Sequence, residues 1–512
     1  MNKSRVRNTL VNTFSGLAMK FVNLFANFAV RTVFIYYLGI EYTGIQAVFT
    51  DILTVLSLAE LGIGSAITYS LYKPIAEKNY EQMAKLMHLY KVAYRVIATI
   101  ILVVGLSCLP FLDGIIVNVP NVKEDLTIIY LLYLANVVAS YLLIYKSTLF
   151  TANQQSYVIS GVQVIVTVLR TVAQLIIIVC FRDFLLYLIT TISFTVLQNV
   201  IISIKADKQF RELRNYKGER LEKYERRTIF KNIKALSIQK ISSTVLSGTD
   251  SIIISTFLGV GIVGYTSNYT MIISEIGLLS LQFLSSITAS LGNLAAVENS
   301  EKQYRLFLEL NFASGFFFAF CSACLLVTID EFVGNVWLGE EYILGPGVVV
   351  LLCLDFLIKG NITVINSFKD ANGLFVQSQY CPLIMVILNI GISIVAVKLI
   401  GLPGVYLGTV LSRAVTQMWY YPLVLYKYAF KKKAMGYFVE HLKWILILII
   451  CIPLTTYINK FILIPVPIIS FIVHALVCVL IFLLLTVLFF AKNENFRSSR
   501  AYIADTIKRI KK

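Results

Sequence analysis

The chain has 512 residues, of which 58% are hydrophobic and only 14% are charged, and its mean hydropathy is +0.78. Soluble globular proteins carry about 25% charged residues, so this composition excludes that class and predicts an all-α polytopic membrane protein. The net charge of +17 is typical of basic cytoplasmic loops, and it predicts no nucleic-acid partner.

Apolar runs along the chain predict about fourteen transmembrane helices. The predicted segments are 10–38, 43–71, 90–112, 126–150, 157–181, 184–204, 235–258, 263–289, 306–328, 344–367, 377–400, 404–426, 444–464 and 466–490. The first is longer than a signal-peptide core and lacks a small-residue cleavage site. It therefore predicts a retained first span.

The Lys and Arg count predicts the orientation of these spans. One set of ends and loops holds 34 basic residues, whereas the opposite set holds only Lys123, Arg182, Lys398 and Lys460. The loop IDEFVGNVWLGEEY, on the poorly basic side, has four acids and no base. Cytoplasmic loops carry the excess of Lys and Arg, so both termini are predicted to be cytoplasmic.

An internal repeat divides the chain. Leu38, Gly39 and Gly44 match Leu258, Gly259 and Gly264 at an offset of 220 residues. Further matches at an offset of 219 or 220 are Lys20 with Lys240, Ala152-Asn153 with Ala371-Asn372, and Tyr187-Leu188 with Tyr406-Leu407. Glycines at such turns allow positive φ and close helix approach, and a hinge role is the alternative.

Six helices separate the matching elements, so the repeats enter the membrane in the same orientation. This predicts two six-helix lobes, 1–204 and 235–427, related by a pseudo-two-fold axis along the membrane normal, with substrate bound at the repeat interface. Residues 428–512 form an extra helix pair and a basic tail. The stretch 205–234, with eleven bases and five acids, is predicted to be a cytoplasmic linker or an amphipathic helix on anionic headgroups, and a partner-binding role is the alternative.

Residues with catalytic or metal-binding spacing are absent from the sequence. His88, His441 and His474 are scattered, and the CxxC pair Cys321 and Cys324 lies in an apolar run with no second Cys/His pair nearby. There is no catalytic triad and no phosphate-binding glycine loop. The chain is therefore predicted to be neither an enzyme nor a cofactor-binding protein.

Three stretches carry a resemblance to a known family: RTVFIYYLGIEYTGI, then LSLAELGIGSAITYSLYKPIAEKN at 56–79, and GLPGVYLGTVLS at 401–412. Over essentially the whole chain the pattern resembles the polysaccharide transporter branch of the multidrug/oligosaccharidyl-lipid/polysaccharide exporter superfamily, the O-antigen and capsular repeat-unit flippases. The resemblance implies that a polyprenyl-pyrophosphate-linked oligosaccharide is moved from the cytoplasmic to the outer leaflet of a bacterial cell membrane.

Basic residues inside the predicted spans are the candidates for binding this anionic substrate, because such charges usually face a bundle interior or a water-filled cavity. Lys20 and Arg31 share one face of the first helix with Thr13 and Asn27, and Lys240 is the repeat partner of Lys20. Guanidinium binds phosphate bidentately and lysine acts as a point charge. The alternatives for Arg31 are snorkelling to the headgroups or pairing with Asp51.

For the other charged residues in the predicted spans, the sequence gives weaker evidence of a functional role. Arg170 shares a face with Gln163 and Gln174, which fits either a lumen or helix packing, and Lys146 lies near a helix end and can snorkel. Asp355 and Lys359 are spaced to pair on one helix, and Arg413 is left unassigned. The predicted substrate-binding residues are Lys20, Arg31, Lys240, Arg170, Lys146 and Lys359. The predicted H⁺ or Na⁺ coupling residues are Asp51, Glu60, Asp250, Glu275 and Asp355.

Three functions remain open from the sequence. The first is the flippase, which would work by alternating access and would meet membrane lipids, polysaccharide polymerases and assembly enzymes. The second is an ion-coupled antiporter of drugs or organic cations on the same fold, against which the basic stripe argues. The third is a non-transporting scaffold for glycan assembly, in which the buried charges would be paired.

Overall fold

The computed structural model describes residues 3–60, 63–116, 122–216, 221, 244–245, 248–297, 300–491 and 493. These residues are almost entirely helical, and no strand occurs among them. Lipid offers no hydrogen-bond partners, so apolar segments that cross it must satisfy their backbone groups internally, which a helix does. The predicted all-α polytopic class is confirmed.

The chain divides into two compact units, unit 1 (Met1–Ser267) and unit 2 (Asn268–Lys512). The main helices of unit 1 are α1 (Lys3–Leu38), α2 (Ile40–Leu56), α3 (Ile63–Ala76), α4 (Tyr80–Ser107), α5 (Leu126–Leu143), α6 (Ser156–Cys180), α7 (Phe184–Gln209) and α8 (Gly248–Leu258). Its shorter helices are Ser57–Glu60, Leu109–Phe111, Leu112–Ile115, Ile144–Lys146, Ser147–Ala152 and Arg211–Tyr216. The division between the units falls inside the next helix, α9 (Val260–Val297).

The helices of unit 2 complete the chain. The main ones are α10 (Ser300–Glu331), α11 (Pro346–Ala371), α12 (Cys381–Ile400), α13 (Leu402–Val415), α14 (Gln417–Leu425), α15 (Met435–Asn459) and α16 (Pro467–Phe490). The shorter ones are Phe332–Trp337, Glu340–Tyr342, Phe375–Ser378 and Tyr426–Phe430. The predicted lobe, linker and tail boundaries remain predictions.

Ten helices in the described residues are long and apolar enough to cross a membrane, and α8 is a shorter apolar helix. The predicted spans 43–71 and 404–426 are each interrupted, the first between α2 and α3 and the second at Thr416, between α13 and α14. Most of the predicted span 235–258 lies outside the described residues. The span 263–289 is the apolar part of the 38-residue helix α9.

Aromatic side chains form the core of unit 1. Phe34 of α1 packs edge-on against Phe184 and Tyr187 of α7, with ring centroids 5.7 and 5.3 Å apart. Phe49 of α2 packs against Tyr130 of α5 at 5.3 Å. These contacts hold α1, α2, α5 and α7 together around the position of Arg31, which lies one helical turn before Phe34.

The extra helix pair of unit 2, α15 and α16, packs against α10. Trp444 of α15 is fully buried, and its ring lies 5.5 Å from Phe312 of α10 and 4.3 Å from Phe490 of α16. Gly315 of α10 makes room for this indole, because a Cβ there would lie 2.5 Å from its nitrogen.

Repeat-related glycines bring α2 and α9 into close contact within unit 1. Gly39 and Gly259 have φ of 101° and 98°, so both turns adopt the backbone conformation that glycine favours. A Cβ on Gly44 would lie 2.1 Å from the Val260 carbonyl oxygen, and one on Gly264 would lie 2.6 Å from the Ile40 carbonyl oxygen. The contact is thus reciprocal: each glycine faces a carbonyl oxygen at the start of the other helix, and the two glycines are 220 residues apart, the offset of the repeat.

Candidate functional site

Arg31 reaches from α1 into the interior of unit 1, where it interacts with Tyr133 of α5 and Tyr187 of α7. Its Nη1 atom and the Tyr133 hydroxyl are both buried and lack a hydrogen-bond partner. The proposed pairing with Asp51 is not formed in the structure, where Asp51 of α2 accepts a hydrogen bond from Ser251 of α8.

Arg170 brings a second guanidinium to the same tyrosine. From α6 it interacts with Tyr187, which also interacts with the Gln46 side chain of α2. The Arg170 Nε is buried and has no hydrogen-bond partner. We call these five residues the arginine cluster: Arg31, Gln46, Tyr133, Arg170 and Tyr187.

The arginine cluster has an uncompensated positive charge. Neither Arg31 nor Arg170 forms an ion pair with a carboxylate of the described residues. An unpaired charge in a transmembrane helix is costly, about 2.5–3.5 kcal/mol near the helix centre by insertion scales. Two guanidinium groups with unused N–H donors suit an anion with several oxygens, since guanidinium forms bidentate hydrogen bonds with phosphate.

The positions of Arg31 on α1 and Arg170 on α6 explain why both side chains lie on the helix faces that pack towards α7. Arg31 is one turn from the buried Phe34, and residues three apart share a helix face. On α6, Gln174 donates a hydrogen bond to Thr191 Oγ1 of α7 at 2.9 Å, and Arg170 lies one turn before it on the same face. The polar face predicted for this helix thus packs on α7 through Gln174 and interacts with Tyr187 through Arg170.

The remaining predicted cations have different surroundings. Lys20 is partly exposed on α1, eleven residues or about 16 Å along the helix from Arg31. Lys240 lies outside the described residues. Lys146 pairs with Asp207 at 2.6 Å, and Lys359 pairs with Asp355 at 2.8 Å. The structure therefore brings Arg31 and Arg170 together and leaves Lys146 and Lys359 beside acids.

Glu60, one of the predicted coupling acids, accepts hydrogen bonds from two tyrosines. It ends the short helix Ser57–Glu60 between α2 and α3. Tyr94 of α4 donates a hydrogen bond to its Oε1 at 2.7 Å, and Tyr141 of α5 donates one to its Oε2 at 3.5 Å. Tyr90 in turn donates to Tyr94 at 3.0 Å. A carboxylate in a break between helices is a common setting for a bound ion.

Three other predicted coupling acids lie on the helices of the two units. Asp355 lies between two cations, Arg413 at 2.7 Å and Lys359 at 2.8 Å, so both of its oxygens are engaged. Asp250 lies on α8 and Glu275 on α9. The role of each acid in ion coupling stays a prediction.

Sequence reasoning did not assign Gln46, Tyr133 or Tyr187 to the site. Tyr187 is distinguished in the sequence only as part of the repeat, and nothing in the sequence separates its role from that of the other 28 tyrosines. The usable signal in the sequence is that Arg31 and Arg170 both lie inside predicted spans, whereas the packing of their helices α1 and α6 is visible only in the structure. Their shared electrostatic interaction with Tyr187 depends on how α1, α6 and α7 pack.

Comparison with known proteins gives structural matches only. No protein-family model matches the sequence, and no curated protein matches it either. Among solved structures, the lipid II flippase MurJ in an inward closed conformation is similar with a TM-score of 0.67 and 13% identity, over 94% of this chain and 99% of that one.

Multidrug transporters of the MATE family are similar as well. An inward-facing MATE transporter of the MOP superfamily matches with a TM-score of 0.60 and 14% identity, over 81% of this chain and 98% of that one. The MATE transporter VcmN of Vibrio cholerae in its bent form matches with a TM-score of 0.55 and 16% identity, over 83% and 98%. The chain is thus a multi-pass membrane protein that shares its fold with the lipid II flippase MurJ and the MATE transporters.

Proposed function

We propose that this chain is a flippase that moves a polyprenyl-pyrophosphate-linked oligosaccharide repeat unit from the cytoplasmic to the outer leaflet of a bacterial cell membrane. The product would feed the synthesis of a surface polysaccharide such as capsule or O-antigen. The observation that carries the proposal is the arginine cluster, in which Arg31 Nη1 and Arg170 Nε are buried without a hydrogen-bond partner and no carboxylate of the described residues pairs with either arginine. The structural likeness to a lipid II flippase supports a lipid-linked cargo.

The arginine cluster suggests how the cargo is held. The pyrophosphate would accept hydrogen bonds from Arg31 and Arg170, which supplies the counter-charge that the cluster lacks. Tyr133, whose hydroxyl has no partner, would donate a further hydrogen bond to it. The lipid chain would stay in the bilayer while the sugars cross with the headgroup, and alternating access would release the cargo on the other side.

A leaflet-access assay tests the proposal. The purified protein is reconstituted in liposomes with a labelled polyprenyl-pyrophosphate oligosaccharide, and exposure to an external glycan-modifying reagent is followed. A hydrogen bond to a charged group contributes about 1.5–3 kcal/mol, so we expect Arg31→Ala and Arg170→Ala each to lower the exposure rate by about 10-fold or more. Lys240→Ala tests a predicted cation that lies outside the described residues.

The matched control is Arg182→Ala, which removes an arginine that is exposed and lies over the Tyr37 ring, 5.2 Å from its centroid. This variant should flip the cargo at the wild-type rate. Exposure that is unchanged by both cluster variants would reject the site. Protein-independent exposure with every lipid-linked glycan tried would reject the flippase.

A second candidate function is ion-coupled antiport of an organic cation. Glu60, which accepts hydrogen bonds from Tyr94 and Tyr141, favours it, because a carboxylate beside tyrosines can bind a proton or a cation. The MATE transporters of the same fold are consistent with it. Uptake of a fluorescent organic cation into proteoliposomes, driven by an imposed proton gradient and lost in Glu60→Gln, would favour the antiporter over the flippase.

A further inference from the structure

A second group of basic residues lines a cavity at the end of unit 1 that carries the basic loops. The cavity has a volume of about 570 Å³. Its rim includes His88 and Lys91 of α4, Lys146, Asp207 of α7, and Arg214. We call this cavity the basic-end pocket. It is built from residues outside the arginine cluster.

The positive charge of the basic-end pocket is only partly neutralised. Asp207 is the acid among its lining residues, and it is already bound to Lys146 at 2.6 Å. Lys91, His88 and Arg214 form no hydrogen bond or ion pair with any described residue. With His88 neutral, three bases and one acid leave a formal excess of two positive charges around the cavity.

The floor of the pocket is apolar, which strengthens its hold on a charged group. Met87, Leu149 and Phe210 line it and are buried, and charges interact more strongly beside low-dielectric walls than in water. The volume lies within the range of about 300–1,000 Å³ that is usual for small-molecule sites. Lysine offers a point charge and arginine a bidentate fork, the combination that suits a phosphate group.

Unit 2 has a related cavity whose lysines are more engaged. It has a volume of about 510 Å³ and is lined by Lys427, Lys432 and Lys433. Arg214 and Lys433 correspond at the 219-residue offset of the repeat. Lys432, however, pairs with Glu301 at 3.0 Å and lies over the Tyr304 ring. The free bases of unit 1 make its pocket the better anion site.

We propose that the basic-end pocket binds the phosphate group of an organic phosphate through Lys91 and Arg214. Two sources share this chemistry: the headgroup of an anionic membrane lipid and a soluble phosphate compound. Anionic headgroups lie at the surface that basic membrane-protein loops face. The pocket is a site separate from the arginine cluster, and its occupancy does not depend on the transport function.

Lysine reactivity tests the proposal at the pocket itself. The full chain in phosphatidylcholine nanodiscs is treated briefly with an amine-reactive reagent, and modification of Lys91 is measured by peptide mass spectrometry. One arm adds inorganic pyrophosphate, and the other replaces part of the lipid with phosphatidylglycerol. Modification of Lys91 should fall about threefold when the ligand is at twice its Kd, because a third of the sites are then free.

Lys208 is the internal control, since it is exposed on the same helix as Asp207 and does not line the pocket. Its modification should not change. Protection of Lys91 should be lost in Arg214→Gln and retained in Lys208→Gln. It should also be retained in Arg31→Ala, which separates this site from the arginine cluster.

The pyrophosphate and phosphatidylglycerol arms of the experiment distinguish a soluble phosphate from a lipid headgroup, and they define the results that would overturn the proposal. Protection by phosphatidylglycerol alone identifies a lipid headgroup, and protection by pyrophosphate alone identifies a soluble phosphate. Either result supports the pocket, and protection by both supports its phosphate specificity. No protection in either arm overturns the proposal, and so does equal protection of Lys208, which would indicate general charge screening. Loss of protection in Arg31→Ala would also overturn it as a separate site.

Discussion

Arg31 and Arg413 both carry a guanidinium into an apolar helix, but among the residues that the structure describes only Arg413 pairs with a carboxylate. Its Nε lies 2.7 Å from Asp355 Oδ1, and its side chain is 7% exposed. Lys359 contacts the other oxygen of Asp355 from a side chain that is 57% exposed. We therefore expect mutation of Arg413 to lower the stability of the protein and mutation of Arg31 to lower the rate of transport.

Arg413→Ala should destabilise unit 2 by about 3–5 kcal/mol, because it leaves a buried carboxylate without its buried partner. Lys359→Ala should cost at most about 1 kcal/mol, since this lysine is largely exposed and Arg413 remains in place. Unfolding of the purified variants in detergent, followed by heating or by denaturant, measures both. Equal losses in the two variants would contradict the assignment of Arg413 as the principal partner.

The sequence predicts one of the two ion pairs that Asp355 forms. The i,i+4 spacing of Asp355 and Lys359 predicts their contact, and the structure contains it. Arg413 lies 58 residues further along the chain, and no local pattern links it to Asp355. The contact depends on the packing of α11 against α13.

At the scale of elements, the crossing of α2 and α9 is set by backbone contact. Gly44 and Gly264 each face a carbonyl oxygen of the other helix at a distance where a side chain does not fit. Close approach of this kind is typical of small residues between membrane helices. The sequence predicted the glycine match and the close approach, but which helices meet was visible only in the structure.

Gly44→Ala should lower stability by about 1–3 kcal/mol, the usual cost of overpacking, because the methyl group would meet the Val260 carbonyl oxygen. Gly261→Ala is the matched control on α9. A Cβ there meets nothing within 4 Å, so helix propensity should make this change neutral or stabilising by up to about 1 kcal/mol. Thermal unfolding of the two variants and of the wild type measures this difference. Equal unfolding midpoints for Gly44→Ala and Gly261→Ala would contradict the close-packed crossing.

The predicted span 43–71 contains a helix break that hydropathy does not detect. The run 43–71 is apolar throughout, yet α2 ends at Leu56 and Glu60 lies in the short helix before α3. Hydropathy averages over a window, so it does not detect a local change of helix geometry. The break matters because it places Glu60 beside Tyr94 and Tyr141.

At the scale of the whole molecule, the distribution of Lys and Arg predicts the orientation in the membrane. The basic set of loops holds 34 such residues and the opposite set four, so the positive-inside rule predicts that both termini and the basic-end pocket are cytoplasmic. This orientation is required by the proposed direction of transport, since the cargo is loaded from the cytoplasmic leaflet.

Cysteine labelling on intact cells measures the orientation. Lys460→Cys and Lys433→Cys are each introduced into a Cys180→Ser background, because Cys180 is exposed at the end of α6 and would react by itself. Lys460 and Lys433 are both exposed. An impermeant maleimide should label Lys460→Cys on intact cells and Lys433→Cys only after the cells are opened. The reverse pattern would invert the topology and the proposed direction of transport.

The sequence by itself determined the class of the protein, the positions of most spans, the repeat and the list of charged residues inside the spans. These depend on composition and periodicity, which are local properties of a chain that must satisfy its backbone in lipid. Only the tertiary structure decided which charges meet. Arg31, Arg170 and Tyr187 come from three helices, and Asp355 and Arg413 from two, so their contacts follow from side-chain packing between distant segments. That packing brings Arg413 to the Asp355 carboxylate and places Arg31 and Arg170 near Tyr187.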